Sequence, residues 1–567
     1  MSQSVPQTRR GGRVALALAT VAALALTAAC SSDKASDDKT SEATGAETTQ
    51  AVDDGATQAT DTATEDTDTG STGDEGAATA GSDVLHIGFL SAPSVPDPDR
   101  FYGANGLMIT LNAYEGLVKY EQGNHDNPPI VASLATDWTV TDNTVYEFTL
   151  RDGVQFADGT PVTSAVVKSS IERRIDIESG LSWLAGDIKQ IDTPDDQHIT
   201  ITLNAPNSAY LDYLASPYGL KITNPALVTD NPDDLGQAVV AEASFGTGPY
   251  QLTSMVTDTS YTLTYNPNYW GGKDPVFKTV EITVYQDASA YELALEAGDE
   301  DLIIGSVASA SQGKYIDSYT ISAYSLPTFQ MGIVYMNPNH DFFATAEARQ
   351  AFYQYINWEE MVEQVIPYKG TLATGRYSRG AVPGDSIDIV YDEQPFIDYV
   401  ATLPEGTEVE MGYYEMSMDD KTIAEIVAAK LQGLGLNATA TARSESEIYG
   451  SWFEDHANAP DLFIQSNTWP DSNNGYLYGS VFWKESGGLN YVGCFSPEAE
   501  ENLDKALETG DNSYYLAAAD AQWEVMCNPT WDYGSDFVAA QPWLGNVEAA
   551  HTIAAPYTLA IYDLTRQ

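Results

Sequence analysis

The residues able to do chemistry are numerous in this chain but are not arranged for catalysis. Six histidines (His86, His125, His198, His340, His456 and His551) are scattered, with no pair at metal-ligand spacing. There is no G-x-S-x-G elbow, no Walker-type phosphate loop and no H-E-x-x-H helix. Acidic residues total 82, so many that a glycosidase-like pair can be chosen anywhere and carries no signal without geometry. A protein that is not an enzyme and needs neither cofactor nor metal is expected. The remaining reactive groups are three cysteines, Cys30, Cys494 and Cys527. In an oxidising compartment Cys494 and Cys527 are expected to pair, two separate buried thiols being the alternative. The loop so closed would stabilise the fold by roughly 3–4 kcal/mol.

Cys30 has a different setting. Arg9, Arg10 and Arg13 form a basic region, and the run from Val14 to Ala29 is almost entirely Ala, Leu and Val. Such a run spans about 24 Å as a helix, short of the roughly 30 Å hydrocarbon core, so residues 1–29 read as an export signal peptide rather than an anchor. The ending Leu26-Thr27-Ala28-Ala29-Cys30 resembles a bacterial lipobox, which implies a diacylglycerol on Cys30. Thr27 stands where a lipobox usually has Leu. The general secretory route is preferred to the twin-arginine one, because Gly11-Gly12 replaces the apolar residue expected after the arginine pair.

From Ser31 to Asp83 the chain holds no aromatic residue, and its charges are 14 acidic against 2 basic. It cannot build a core, so residues 30–83 are expected to be a lipidated cysteine and a disordered acidic tether, with a span on the order of 40 Å. Net charge over the whole chain is −56, which excludes a nucleic-acid binder lacking a basic face. The part from Val84 onward still holds 21 basic and 68 acidic residues. It is too long for one core. Alternating segments such as Tyr146–Leu150, His198–Leu203 and Tyr261–Tyr265 predict half-buried strands. Helical spacing predicts helices over Ala346–Val365 and Thr422–Leu434, the second closed by Gly433 and Gly435. A mixed α/β architecture follows.

Several segments carry a family resemblance. Tyr114-Glu115-Gly116-Leu117-Val118, Pro129 to Trp138, Tyr146 to Phe156, Asp158-Gly159-Thr160-Pro161-Val162-Thr163, Gly246-Thr247-Gly248-Pro249-Tyr250, Asn266-Pro267-Asn268-Tyr269-Trp270 and Arg349-Gln350-Ala351-Phe352 occur in this order. The set resembles the extracellular solute-binding proteins of family 5, the oligopeptide- and dipeptide-binding components of ABC importers, over residues 84 to 567. Val166 and Asn357-Trp358 depart from the family pattern, both in expected structural helices. The resemblance implies a two-lobed periplasmic-binding-protein-like α/β fold with a hinge and an extra domain inserted in the first lobe. Lobe I would be 84–119, 240–325 and 535–567, the inserted domain 120–239, and lobe II 326–534.

The resemblance also implies the site. In the oligopeptide binders a Trp is followed within three residues by an Asp that pairs with the ligand's ammonium. Here Trp469 matches, and Asp471 comes one residue early, followed by Asn473 and Tyr476. Matching positions add Trp183 in the inserted domain, Phe329 and Gln330 before a strand Met331–Met336, and Ser91 and Ala92 in the turn after a strand Leu85–Leu90. The implied partners are a peptide ligand, or alternatively an oligosaccharide, and the ABC permease membrane subunits. The expected protein is a monomer, tethered by its lipid to the extracellular face of the cell membrane.

Overall fold

The strand Thr279–Val284 shows how the sequence builds the main sheet. Val280, Ile282 and Val284 point into a core while Glu281 points to solvent, the period-two pattern of a half-buried strand. The computed structural model describes residues 82–567 except Ser91, Ser94, Ser306 and Trp469. The expected signal peptide, Cys30, the tether, and the candidate ligand residues Ser91 and Trp469 lie outside the described residues. No helix among the described residues is long and apolar enough to cross a membrane.

Eleven strands are hydrogen-bonded into one sheet. Its order is Asn437–Arg443, Glu408–Tyr414, Leu462–Thr468, Ser322–Met336, Thr530–Ala540, Leu302–Ile304, Val84–Phe89, Thr279–Val284, Ser260–Tyr265 and Tyr250–Val256, with Gly370–Leu372 paired to Thr530–Ala540. The two long central strands run antiparallel, and their register shifts between Pro327 and Met331 and again between Gly332 and Ile333. Each feeds different cores at its two ends. Leu326 and Val538 pack with Leu85, Ile87 and Val280, whereas Val334, Met336 and Trp531 pack with Val409, Met411 and Ile423. Pro327 has no N–H for the ladder, so an irregularity there has a covalent cause.

A separate antiparallel sheet has the order Ala135–Thr141, Val145–Leu150, His198–Leu203 and Ile188–Asp192. The helix Ser164–Ile177 covers it, its first turn capped by the Thr163 hydroxyl. This core extends beyond residues 120–239, taking in Phe101, Leu107, Phe329, Leu477 and Ile553. Two helices differ from the periodicity. The stretch Ala346–Val365 is broken into Ala346–Tyr355 and Trp358–Val365, because Asn357 turns extended and caps the second helix through Glu360 N–H. The other helix begins earlier than expected, at Met418, because Ser417 accepts from Asp420 N–H at 3.1 Å. Cys494 and Cys527 are joined as a disulfide, with Cα atoms 5.9 Å apart.

Candidate ligand-binding site

The strand Leu462–Thr468 stops before Pro470, which cannot donate to a ladder. The helix Gly475–Phe482 starts where Asn474 Oδ1 accepts from Tyr476 N–H at 2.8 Å. The loop between them is therefore fixed at both ends, and it delivers Asp471 and Asn473 into contact with residues far away in sequence.

Asp471 is only 5% exposed. Tyr102 Oη donates to its Oδ2 at 2.6 Å, and Ser216 Oγ donates to its backbone carbonyl at 2.5 Å. Burial pushes the carboxyl up to about 6, opposed by the Tyr102 hydrogen bond. No ion pair to Asp471 occurs among the described residues, so a buried carboxylate stands with neutral partners. Its neighbours form a second such group. Asn473 N–H donates to Tyr120 Oη at 3.2 Å, and Tyr120 Oη in turn donates to Asp212 Oδ1 at 2.6 Å. Asn474 Nδ2 donates to Asp212 Oδ2 at 2.9 Å, and burial pushes Asp212 up to about 6 as well.

Tyr102 is placed by a buried ionic clamp. Arg173 forks onto both oxygens of Asp97 at 2.9 and 3.0 Å and also reaches Asp99, while Arg174 Nε donates to Asp99 Oδ1 at 2.7 Å. All four side chains are essentially inaccessible. The clamp ties the segment after the strand Val84–Phe89 to the helix Ser164–Ile177, three residues before Tyr102. The Tyr102 ring then meets Tyr218 edge-on, with centroids 5.0 Å apart.

The other expected site residues are distributed differently. Tyr476 is half-buried below the ammonium of Lys484. Trp183 is half-buried against Tyr213, with centroids 5.4 Å apart. Phe329 lies in the core beside Tyr120, its N–H donating to Ile553 carbonyl at 3.0 Å. Phe329 and Gln330 sit inside the strand Ser322–Met336 rather than before it, because the ladder with Thr530–Ala540 begins at Ser322. Gln330 is 1% exposed and accepts from the Thr328 hydroxyl at 3.0 Å. Ala92 packs against the Leu85 core, and the neighbouring Pro93 carbonyl accepts from Tyr261 Oη. Sequence reading missed Tyr102, Tyr120, Asp212 and Ser216. The readable signal was the pairing of Asp97-Pro98-Asp99 with the doublet Arg173-Arg174, two opposite-charge clusters that can be buried only together.

Residues 129–489 match the model for bacterial extracellular solute-binding proteins, family 5. The probable D,D-dipeptide-binding periplasmic protein DdpA of Escherichia coli (strain K12) is 27% identical over 456 residues, covering 77% of this chain and 85% of that protein. NikA from Brucella suis, solved in complex with Fe(III)-EDTA, superposes with a TM-score of 0.75 at 20% identity, covering 85% of this chain and 100% of that one. The periplasmic binding protein DppA from Helicobacter pylori, solved in complex with peptide STSA, gives 0.70 at 18% identity, with 85% and 98% covered. The α/β fold is thus that of the periplasmic binding proteins, and the chain belongs to the bacterial extracellular solute-binding proteins of family 5.

Proposed function

We propose that this protein captures short peptides in a cleft between two lobes and delivers them to an ABC permease, with Asp471 receiving the ligand's α-ammonium. The observation that carries this reading is a buried carboxylate whose hydrogen-bond partners among the described residues are all neutral. An ammonium entering such a site gains a charge-assisted hydrogen bond in a region shielded from water. The family relatives DdpA and DppA, by their names and bound peptide, support a peptide as the class of ligand.

In this reading lobe I comprises 84–119, 240–325 and 535–567, lobe II comprises 326–534, and residues 120–239 are the inserted domain. The two long strands that feed separate cores, irregular at Pro327, support a hinge at that point. Closure brings the 471–474 loop onto Tyr102, Tyr120, Asp212 and Ser216. The body is a monomer held outside the cell membrane through lipid on Cys30, spaced by the acidic tether. A thermal-shift screen of the purified protein against short peptides and oligosaccharides tests the ligand class. Stabilisation by peptides with a free amino terminus supports it, and stabilisation by oligosaccharides alone refutes it.

A further inference from the structure

Two imidazoles meet away from Asp471. His551 Nδ1 lies 3.2 Å from His125 Nε2, with ring centroids 5.1 Å apart. His551 follows the helix Val547–Ala550 and its side chain is fully enclosed, whereas His125, on the turn before the strand Ile130–Ala132, is half-buried. On its other side His551 Nε2 faces the enclosed Asp536 Oδ2 at 3.5 Å.

A bond between two facing ring nitrogens needs one proton, carried by one of them and accepted by the other. Neither His551 Nε2 nor Asp536 Oδ1 has a hydrogen-bond partner among the described residues, although Asp536 Oδ2 accepts from Tyr557 N–H at 2.6 Å. A proton on each nitrogen of His551 answers both sides, because the ring then gives one to His125 Nε2 and turns the other toward Asp536. His125 is the acceptor in that state. A further proton on His125 sets two N–H groups and two cations face to face, so the contact breaks.

The charged groups facing the pair are Asp536 of the strand Thr530–Ala540 and Glu548 of the helix Val547–Ala550. Burial and then the charge of His551 hold the His125 ring below the ordinary histidine value, and Glu548 opposes them. Asp126, next on the turn, acts on Arg379.

The turn that carries His125 bridges two parts of the molecule. At one end Gly123 N–H donates to the His551 carbonyl at 2.9 Å, and Gly123 lies so close to Ala549 that a Cβ would stand 3.2 Å from its Cα. At the other end Asn127 Oδ1 accepts from Asn473 Nδ2 at 3.4 Å, and the Asp126 carbonyl lies against Gly380. Movement of the turn therefore reaches the loop that carries Asp471.

We infer that His125 and His551 form an acid-sensitive latch: one proton between the rings fastens the 123–127 turn to the C-terminal segment, and a second proton on His125 releases it and loosens its hold on Asn473. Protonation of a histidine cluster is a direct way to open a packed contact. The latch does not depend on which ligand Asp471 receives, so its test uses the ligand-free protein.

Hydrogen exchange read by mass spectrometry on the purified protein, at pH 7.5 and pH 5 with intrinsic rates divided out, follows the turn directly. Protection over residues 121–129 is expected to fall about tenfold or more at pH 5, while the strand His198–Leu203 keeps its own. His125→Gln cannot take the second proton and is expected to protect the turn equally at both values. A turn equally protected at both values in the unmodified protein, or a fall just as large in His125→Gln, overturns the latch. A fall shared by the strand is general loosening and overturns it too. The comparison of turn with strand inside the unmodified protein decides even if the variant misfolds.

Discussion

The Tyr102 hydroxyl donates to Oδ2 of Asp471 at 2.6 Å, joining two residues 369 positions apart. The bond stabilises the ionised carboxylate against the burial that raises it to about 6. An ammonium pairs only with the ionised form, so peptide affinity is full above that pH and falls as pH drops through about 6. Tyr102→Phe removes the opposing hydrogen bond, and the midpoint of the affinity profile should move upward by about half to one pH unit. Calorimetry from pH 5 to 8 reads it; coincident profiles for both proteins would contradict the linkage.

Asp420 accepts from Ser466 N–H and Oγ at 2.9 and 2.5 Å, is 1% exposed, and is pushed by burial up to about 7. A carboxyl whose folded value lies above its unfolded one binds its proton more tightly in the native state. Stability therefore decreases as pH rises from about 4 to 7. The ligand-free protein should melt at higher temperature at pH 5 than at pH 7, and Asp420→Asn should flatten that slope, by up to roughly 2–4 kcal/mol across the range. A melting temperature that climbs toward pH 7 in the unmodified protein would count against it.

The Arg173 and Arg174 clamp on Asp97 and Asp99 is buried without water access. Removing one partner leaves a charge in the interior, which costs about 3–5 kcal/mol. Arg173→Met should lower the urea midpoint accordingly. Because the clamp seats Tyr102, peptide affinity should fall at temperatures where the variant is still folded. A loss of stability with unchanged affinity would show that the clamp does not position Tyr102.

Cys494 and Cys527 close a loop that contains the helices Pro497–Thr509 and Asn512–Val525. Their replacement by serine, or reduction with a phosphine, should cost roughly 3–4 kcal/mol in denaturant while sparing peptide binding, since no hydrogen bond from either residue to Asp471 occurs among the described residues.

Much of the architecture was legible because it rests on local signals. The strand His198–Leu203 was readable from alternation alone. The break at Asn357 was not, because an amphipathic stripe continues across it while a single capping side chain restarts the helix. Phe329 and Gln330 were read as preceding a strand Met331–Met336, yet the ladder starts at Ser322 and carries on around the bulge. The partners of Asp471 were invisible for a different reason: Tyr102, Tyr120, Asp212 and Ser216 come from segments with no local motif, and only the fold brings them to one loop.

The central claim is that Asp471 is the ammonium anchor of a peptide-binding cleft. The measurement that meets it most directly is calorimetric titration of one free-amine peptide, selected by the thermal-shift screen, into the unmodified protein and into Asp471→Asn at pH 7.5. Asparagine keeps the size and can still accept from Tyr102, so folding should be preserved. Loss of the charge should weaken binding by about tenfold or more, as expected for a charge-assisted hydrogen bond of roughly 1.5–3 kcal/mol. Equal affinity in the two proteins would show that the ligand's amine is held elsewhere.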